Sequence, residues 1–183
     1  MNSNIEIATL GGGCFWCVEA VYDSVEGVIS ATSGYSGGTE ETANYEAVCS
    51  KTTDHVEVVQ IKFDSSVISY AELLEMFWTA HDPTIPNRQG NDVGPQYRSA
   101  IFYHNEEQKQ IAEDSIANVA TQVWDAPIVT ELIEFEDFYE AEAYHHNYYA
   151  KVGDRNSYCT FVITPKVSKF RKKFAHRLKK ATT

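Results

Sequence analysis

A run of three glycines leading into a cysteine most constrains how this chain folds. The apolar run from Ile5 to Leu10 predicts a strand, and Gly11-Gly12-Gly13 lets the backbone turn sharply and approach another group closely. Apolar residues then recur at helical spacing, at Phe15, Val18, Tyr22 and Val25. The pattern therefore predicts a strand, a tight turn and a helix whose first turn carries Cys14.

The position of Cys14 makes it a candidate nucleophile. Unpaired amide N–H groups and the positive end of the helix dipole favour a thiolate there, so we expect a lowered pKa for this thiol. The alternative is that Cys14 and Cys17 are buried small apolar residues. A glycine run is an unusual approach to a core cysteine, which favours the nucleophile.

Composition indicates one soluble domain over residues 1–183. The chain is 43% apolar and 22% charged, and no stretch approaches the ~20 apolar residues of a membrane span. The segment from Met1 to Glu6 lacks a basic region followed by an apolar run, so we expect no signal peptide. Four cysteines do not resemble a disulfide framework. We therefore predict a cytoplasmic monomer with reduced thiols.

Charge is unevenly distributed along the chain. From Lys166 onward there are eight Lys or Arg and no acidic residue, whereas the preceding residues hold 7 basic and 26 acidic groups. An acidic body argues against nucleic acid as the main ligand. Apolar residues in the basic segment recur near helical spacing, which predicts a C-terminal helix over about residues 166–180 that packs by one face. A membrane or nucleic-acid role for it is the less favoured alternative.

The order of the remaining elements predicts the fold class. Strands are expected at Val28–Ser33 before a glycine turn at 34–38, and at Val56–Phe63, Ser99–Tyr103, Ile128–Ile133 and Thr160–Thr164. Helices are expected after a capping box at Ser69 and Glu72, and over Glu106–Val123 and Phe138–Tyr149. The long polar loop His81–Arg98 is expected to be functional. This order predicts an α+β two-layer sandwich, a mainly antiparallel mixed sheet covered by helices with a ferredoxin-like core.

Glu57 is the second candidate for chemistry. Alternation along its strand places it on the same face as Val59, Ile61 and Phe63. An acid on an apolar face is costly unless paired or protonated, and desolvation raises its pKa. Glu57 could therefore be a neutral hydrogen-bond donor or general acid. The alternative is a glutamate at the open end of the strand that reaches water.

Other polar and aromatic residues could complete a pocket. Tyr35 in the glycine turn, and Asp92 and Tyr97 in the long loop, lie on segments that could converge. Phe15 and Trp16 directly follow Cys14 and could be core residues or the wall of a pocket for an apolar group. For the three polar residues, the alternative is an ordinary surface or loop position.

The cysteines allow several interpretations. Cys14-x-x-Cys17 could form half a zinc site, but no second C-x-x-C or H-x-x-x-H follows, so no metal is expected. Cys49 is interpreted as a plain buried thiol. Cys159 follows Tyr158 in an expected turn, where a free thiol could reach a second sulfur.

Eight short motifs resemble one known family. They are Gly-Cys-Phe-Trp at 13–16, Gly-Tyr-x-Gly-Gly at 34–38, Tyr-x-x-Val-Cys-Ser at 45–50, His-x-Glu-Val-Val at 55–59, His-Asp-Pro-Thr at 81–84, Asn-Arg-Gln-Gly-Asn-Asp-x-Gly at 87–94, Gln-Tyr-Arg-Ser at 96–99 and Ala-Glu-x-Tyr-His at 141–145. In this order they resemble the A-type peptide methionine sulfoxide reductases. The resemblance spans about residues 10 to 165.

The resemblance implies a function and a role for each candidate. The family reduces methionine S-sulfoxide, free or in proteins, in the repair of oxidised proteins, and Cys14 matches its attacking thiolate. The other matches are Glu57, Tyr35 and Tyr97 for contacts to the sulfoxide oxygen, Phe15 and Trp16 for the methyl pocket, and Asp92 for the polar residue beside it.

The resemblance also implies how the enzyme is regenerated. Loss of methionine leaves a sulfenic acid, which condenses with a second thiol; thioredoxin, or dithiothreitol in an assay, then reduces the disulfide. No metal or bound cofactor is implied. The chain has Cys17 where many members have glycine, and Ser157-Tyr158-Cys159 resembles the family's Tyr-Cys form. Two candidate resolving thiols, Cys17 and Cys159, therefore remain open.

Two other functions compete with this interpretation. A general thiol–disulfide oxidoreductase built on Cys14-x-x-Cys17 explains the cysteine pair but not Glu57, Tyr35 or Asp92. A zinc-stabilised binding module would use Cys14, Cys17, Cys159 and a histidine.

Overall fold

A six-stranded mixed sheet organises the computed structural model, which describes residues 4–180 apart from the Asp154 side chain. Its strands are β1 (Ile5–Gly11), β2 (Val28–Ser36), β3 (Val56–Asp64), β6 (Ala100–Tyr103), β7 (Glu131–Glu134) and β8 (Tyr139–Glu140), while β4 (Arg88–Gln89) and β5 (Asp92–Val93) form a separate hairpin. The order across the sheet is β7-β6-β1-β3-β2-β8. Only the β6–β7 pairing among these is parallel, which confirms the predicted mixed, mainly antiparallel sheet.

The helices lie between these strands and beyond them. They are α1 (Phe15–Asp23), α2 (Tyr45–Cys49), α3 (Tyr70–Ala80), α4 (Glu106–Ser115), α5 (Thr121–Val123), α6 (Tyr148–Val152) and α7 (Thr164–Lys173). A π-helical segment, Ile116–Ala120, joins α4 to α5, so the predicted helix over 106–123 is continuous. The capping box is present: Ser69 Oγ accepts from the Glu72 main chain at 3.1 Å, and the Glu72 carboxylate accepts from Ser69 N–H at 2.8 Å.

The core has the predicted ferredoxin-like connectivity. The order β1-α1-β2-β3-α3-β6 is a βαββαβ unit, and its four strands are arranged β6-β1-β3-β2. Both α1 and α3 belong to the larger apolar cluster, which takes Val59, Ile61 and Phe63 from β3. The opposite sheet face carries a smaller cluster that includes Val56 and Val58. Glu57 therefore lies on the helix-covered face, as its alternation predicted.

The glycine turn expected at 34–38 is wrong in its position. β2 continues through Tyr35 to Ser36, so Tyr35 lies in a strand and pairs with Glu57 across β2 and β3. Gly34 serves close packing: a Cβ there would lie 2.4 Å from the Phe138 ring and 2.5 Å from the Tyr139 carbonyl oxygen. Gly34, which suggested a turn, instead allows β8 to pair with β2, because it has no side chain to clash with Phe138 and Tyr139.

The sequence predictions are least accurate in the C-terminal third. The helix expected over 138–149 is instead β8, a short helical turn at 143–145 and α6, since Asn147 has φ 55° and interrupts helical continuity. The strand expected at 160–164 is instead a π-helical segment, Cys159–Ile163, which runs directly into α7.

Two further boundaries differ from the predictions. The strand expected at 128–133 begins only at Glu131. The basic helix ends at Lys173, followed by a short turn at 175–177, after which Leu178 bridges to Val25. Within residues 4–180, no helix has the length and apolar content needed to cross a bilayer.

Candidate active site

Cys14 lies at the junction of the glycine run and α1. It is the N-cap residue of the helix, and its carbonyl accepts the Cys17 N–H at 3.1 Å. Gly13 reaches this junction with φ +91°, and a Cβ there would lie 2.4 Å from the Gln89 side chain. The turn thus requires glycine, and it places the Cys14 sulfur at the start of the helix as the sequence predicted.

The pKa of the Cys14 thiol is opposite to the expectation. Burial raises it well above the ordinary value, and the hydrogen bond with the Cys17 side chain and the charge of Glu57 raise it further. The Trp16 main-chain N–H lowers the pKa, but this helix-end effect is smaller than the desolvation. The predicted lowering is therefore wrong, and Cys14 is a thiol in the empty site.

Cys17 is the more acidic of the two thiols. Its pKa is lowered chiefly by the hydrogen bond from the Cys14 side chain, and also by the positive charge of Lys166 and a hydrogen bond with Tyr158, although burial opposes them. The Cys14 and Cys17 side chains are thus close enough to interact. All four cysteines of the chain are thiols in this structure.

Glu57 is a buried acid beside the nucleophile. Its side chain is 2% exposed, and Oε1 accepts the Phe15 main-chain N–H at 3.2 Å. Burial raises the pKa of this carboxyl to about 8, helped by the charges of Asp92 and Cys17 and opposed by the Phe15 hydrogen bond. The alternative of a strand end that reaches water is excluded, and Glu57 is mainly protonated at neutral pH.

A cavity of about 210 Å³ opens between these groups. It is lined by Cys14, Phe15, Trp16, Tyr45, Glu57, Asp92, Tyr97 and Tyr158. The Gly11-Gly12-Gly13 turn, β3, the β5 strand and the helical turn at 95–97 therefore converge on one space. Asp92 and Tyr97 reach it from the long loop, whereas Tyr35 does not line it.

Tyr97 offers a hydroxyl to this cavity. Burial and nearby acidic groups, first among them Glu57, raise the pKa of its phenol, so it remains protonated. Tyr35 is placed differently: it is fully buried, does not line the cavity, and donates its hydroxyl to Glu142 Oε2 at 3.1 Å. The two predicted tyrosines thus differ in their access to a ligand.

The second candidate resolving thiol does not line the cavity. Cys159 is fully buried at the start of the Cys159–Ile163 segment, and its N–H donates to Asn156 Oδ1 at 3.4 Å. The residue before it, Tyr158, lines the cavity and donates its hydroxyl to Asp92 Oδ2 at 2.5 Å. Cys49 is half-buried on α2, where its thiol contacts the Tyr45 hydroxyl.

Sequence reasoning did not assign several residues of the site. Tyr45 and Tyr158 line the cavity. Tyr45 opens the motif at 45–50, and Tyr158 precedes the candidate resolving residue Cys159. His145 and Tyr148 hold the Trp16 side chain in place. Its indole N–H donates to His145 Nδ1 at 3.1 Å, and its ring stacks on Tyr148 with centroids 3.9 Å apart. The many aromatic residues at 144–149 were the sequence signal for this contact with Trp16, but they were interpreted as part of a helix.

Among residues 4–180 no group of three or more His, Cys, Asp or Glu side chains is arranged to hold a metal ion. The buried His81 is instead bonded to the Phe77 carbonyl and to Ser99 Oγ, each at 2.7 Å.

Residues 6–178 match the family described as peptide methionine sulfoxide reductase. This chain belongs to that family. A reductase relative, peptide methionine sulfoxide reductase MsrA of Saccharolobus solfataricus, is 60% identical over 175 residues, covering 96% of this chain and 98% of the relative.

Solved structures support the family assignment. Mxr1 from Saccharomyces cerevisiae in reduced form is 33% identical, with a TM-score of 0.73 over 85% of this chain and 89% of that one. Mxr1 in complex with Trx2 matches with a TM-score of 0.50 at 25% identity, over 79% of this chain and 84% of that one. Methionine sulfoxide reductase A of Corynebacterium diphtheriae is 31% identical and has the same α+β fold, with a TM-score of 0.74 over 87% of this chain and 80% of that one.

Proposed function

We propose that this chain reduces methionine S-sulfoxide, free or within proteins, with Cys14 as nucleophile and Glu57 as acid. The observation that carries the proposal is the pairing of a buried thiol with a carboxyl of pKa about 8 in one aromatic-walled cavity. Family membership supplies the reaction, and the cavity supplies the residues that fit it.

The acid acts on the sulfoxide oxygen. Protonated Glu57 accepts the Phe15 N–H at Oε1, which leaves its O–H free to donate to the substrate. The Cys14 sulfur attacks the sulfoxide sulfur while Glu57 transfers its proton to the oxygen, and the Cys14 thiol proton replaces it on the carboxylate. The new bond between the two sulfurs and the sulfur–oxygen bond of the substrate then break as the hydroxyl moves to the Cys14 sulfur. One thiol and one sulfoxide become one sulfenic acid and one thioether.

Aromatic side chains select the substrate. Phe15 and Trp16 supply apolar walls for the S-methyl group, and Tyr97, which also lines the cavity, is proposed to donate its hydroxyl to the sulfoxide oxygen with Glu57. Asp92 and its partner Tyr158 form the polar side of the cavity. Tyr35 stays a proposed oxygen contact that requires its hydrogen bond to Glu142 to be released.

The contact between the two thiols supports Cys17 as the first resolving residue. Its side chain interacts with that of Cys14, and its pKa is lowered, so it is the more available thiolate. Attack on the Cys14 sulfenic acid releases water and forms a Cys14–Cys17 disulfide. Exchange with Cys159 would then move the disulfide toward a reductant.

Thioredoxin is the proposed reductant, supported by the Mxr1 complex with Trx2. No bound cofactor enters this scheme, and dithiothreitol can replace thioredoxin in an assay. We also propose a cytoplasmic location, because four free thiols suit a reducing compartment. A monomer with one catalytic domain over residues 1–183 is a further part of the proposal.

The test uses free methionine sulfoxide as separate S and R epimers with dithiothreitol. We expect methionine to form from the S epimer and not when Cys14 is serine. A folded protein that forms no methionine from either epimer, but reduces protein disulfides, would establish the general thiol–disulfide oxidoreductase instead.

A further inference from the structure

One carboxylate joins a strand and a helix beside the cavity. Glu142 caps the helical turn Ala143–His145, and its Oε2 accepts the Tyr35 hydroxyl from β2 at 3.1 Å. Its Oε1 accepts the Tyr45 main-chain N–H, at the start of α2, at 2.9 Å. Glu142 therefore ties the second strand and the second helix together behind the site.

His145 extends this connection to Trp16, which lines the cavity. The Trp16 indole N–H donates to His145 Nδ1 at 3.1 Å, and a nitrogen that accepts carries no proton. The neutral ring must then carry its proton on Nε2. That atom is buried, makes no well-aligned hydrogen bond within the described residues, and lies 3.3 Å from Glu142 Oε2.

We propose that Glu142 is the positioning residue for the methyl-binding wall: it holds His145 in the Nε2–H form, so that Nδ1 is free to fix the Trp16 indole. The same carboxylate accepts the hydroxyl of Tyr35, which does not line the cavity. The effect on substrate selection rests on the proposed function, whereas the histidine tautomer does not.

The consequence is discrimination between alkyl groups. Trp16 is a cavity wall, so a fixed indole limits the size of the group that fits beside Cys14. One additional methylene changes selection by about 10–200-fold in a well-formed apolar pocket. Loss of Glu142 frees the indole and reduces the preference for methionine sulfoxide over ethionine sulfoxide.

The first experiment reads the histidine tautomer in the wild-type protein and requires no Glu142 variant. Nitrogen-15 chemical shifts of the wild-type histidines, with His145 assigned by its loss in His145→Gln, report which ring nitrogen is protonated. We expect Nε2–H at pH 7. An Nδ1–H tautomer would overturn the proposal, whatever the stability of any Glu142 variant.

The second experiment compares Glu142→Gln with Glu140→Gln. Glu140 is a matched control because it lies two residues away, and its side chain is 67% exposed beside His146. We expect the kcat/KM ratio of methionine over ethionine sulfoxide to fall at least about fivefold in Glu142→Gln. Glu140→Gln should keep the wild-type ratio.

The histidine titration gives a readout that a structural defect would not mimic. The titratable groups facing His145 are Glu142, His146, Tyr45 and Tyr144, with the two tyrosine rings 4.7 and 4.1 Å away. Burial lowers the pKa of His145 and the Glu142 charge raises it, so Glu142→Gln should lower it further. An unchanged titration together with an unchanged methyl-to-ethyl ratio would exclude this role.

Failure of the proposed function is distinguishable from failure of this inference. If wild-type protein does not reduce methionine sulfoxide, the reductase proposal is wrong, while the tautomer still reports on Glu142. If it does reduce it, and Glu142→Gln keeps full selectivity, only the positioning role is wrong.

Discussion

The Phe15 main-chain N–H donates to Glu57 Oε1 at 3.2 Å, so the residue that follows the nucleophile in sequence also orients the acid. The bond joins the first turn of α1 to the middle strand pair of the sheet. It holds the carboxyl beside Cys14 without ionising it, since burial still raises its pKa to about 8.

Glu57 should act through its proton and its hydrogen bond together. We expect Glu57→Gln to keep partial sulfoxide reduction, because an amide still donates to the oxygen, and Glu57→Ala to lose much more. Removing one stabilising donor costs ~10²–10³ in rate. Single-turnover methionine release measures this, and an alanine variant as fast as wild type would remove Glu57 from the mechanism.

The pH profile should report the same carboxyl. Its protonated form is the acid, so wild-type kcat/KM should decline as pH rises through about 8. The amide of Glu57→Gln does not titrate, and this variant should lack that decline. A wild-type profile flat to pH 9.5, measured with free methionine sulfoxide, contradicts the assignment.

Stability should depend on pH through Glu57 with a defined sign. The folded pKa is about 8 and the unfolded value ~4.3, so the stabilisation is complete below pH ~4 and is lost as pH rises through 8. The slope between these values is ~1.4 kcal/mol per pH unit. Urea unfolding should show this component in wild type and in the exposed-site control Glu113→Gln, and not in Glu57→Gln.

Substitutions of Cys14 and Cys49 should have different effects on sulfoxide reduction. Cys14→Ser should abolish reduction, because only this thiol lies at the glycine turn beside Glu57, and Cys49→Ser should leave it nearly intact. Equal loss in both folded variants, measured as methionine formed with dithiothreitol, would be incompatible with Cys14 as the nucleophile.

Resolution should require the thiol that contacts Cys14. Cys17→Ser and Cys159→Ser should each still release one methionine per enzyme, since that step needs only Cys14. Cys17→Ser should accumulate sulfenic acid and fail in thioredoxin-driven turnover, with dithiothreitol restoring part of the rate. Peptide mapping after one turnover should find Cys14–Cys17 in the wild type. Full thioredoxin-driven turnover in the double variant would exclude both residues.

The two tyrosines should differ. Tyr97 lines the cavity, whereas the Tyr35 hydroxyl already donates to Glu142. We therefore expect Tyr97→Phe to reduce kcat/KM more than Tyr35→Phe does, measured with free methionine sulfoxide. The reverse order would show that substrate binding releases Tyr35 from Glu142.

Local sequence patterns predicted the elements that carry Cys14 and Glu57, because both depend on short-range features. The glycine run, the helical spacing after it and the alternation around Glu57 each specify one element. The strand through Tyr35 could not be predicted this way, since Gly34 is required by a contact with Phe138, about a hundred residues later.

Long-range packing also explains the errors after residue 138. Thr160, Val162 and Ile163 are β-branched and suggest a strand, yet Ile163, Val167 and Phe170 form one helical face buried in the core. The pKa of Cys14 was mispredicted for the same reason: the helix end was visible in the sequence, but the depth of burial was not.

The protonated state of Cys14 has a consequence for survival of the enzyme under oxidant exposure. Peroxide and electrophiles react with thiolates far faster than with thiols. A nucleophile kept as S–H until a sulfoxide enters its cavity is therefore shielded from irreversible conversion to the sulfinic acid. Burial therefore slows oxidation of the Cys14 sulfur between turnovers. The enzyme remains active under the oxidising conditions that produce methionine sulfoxide.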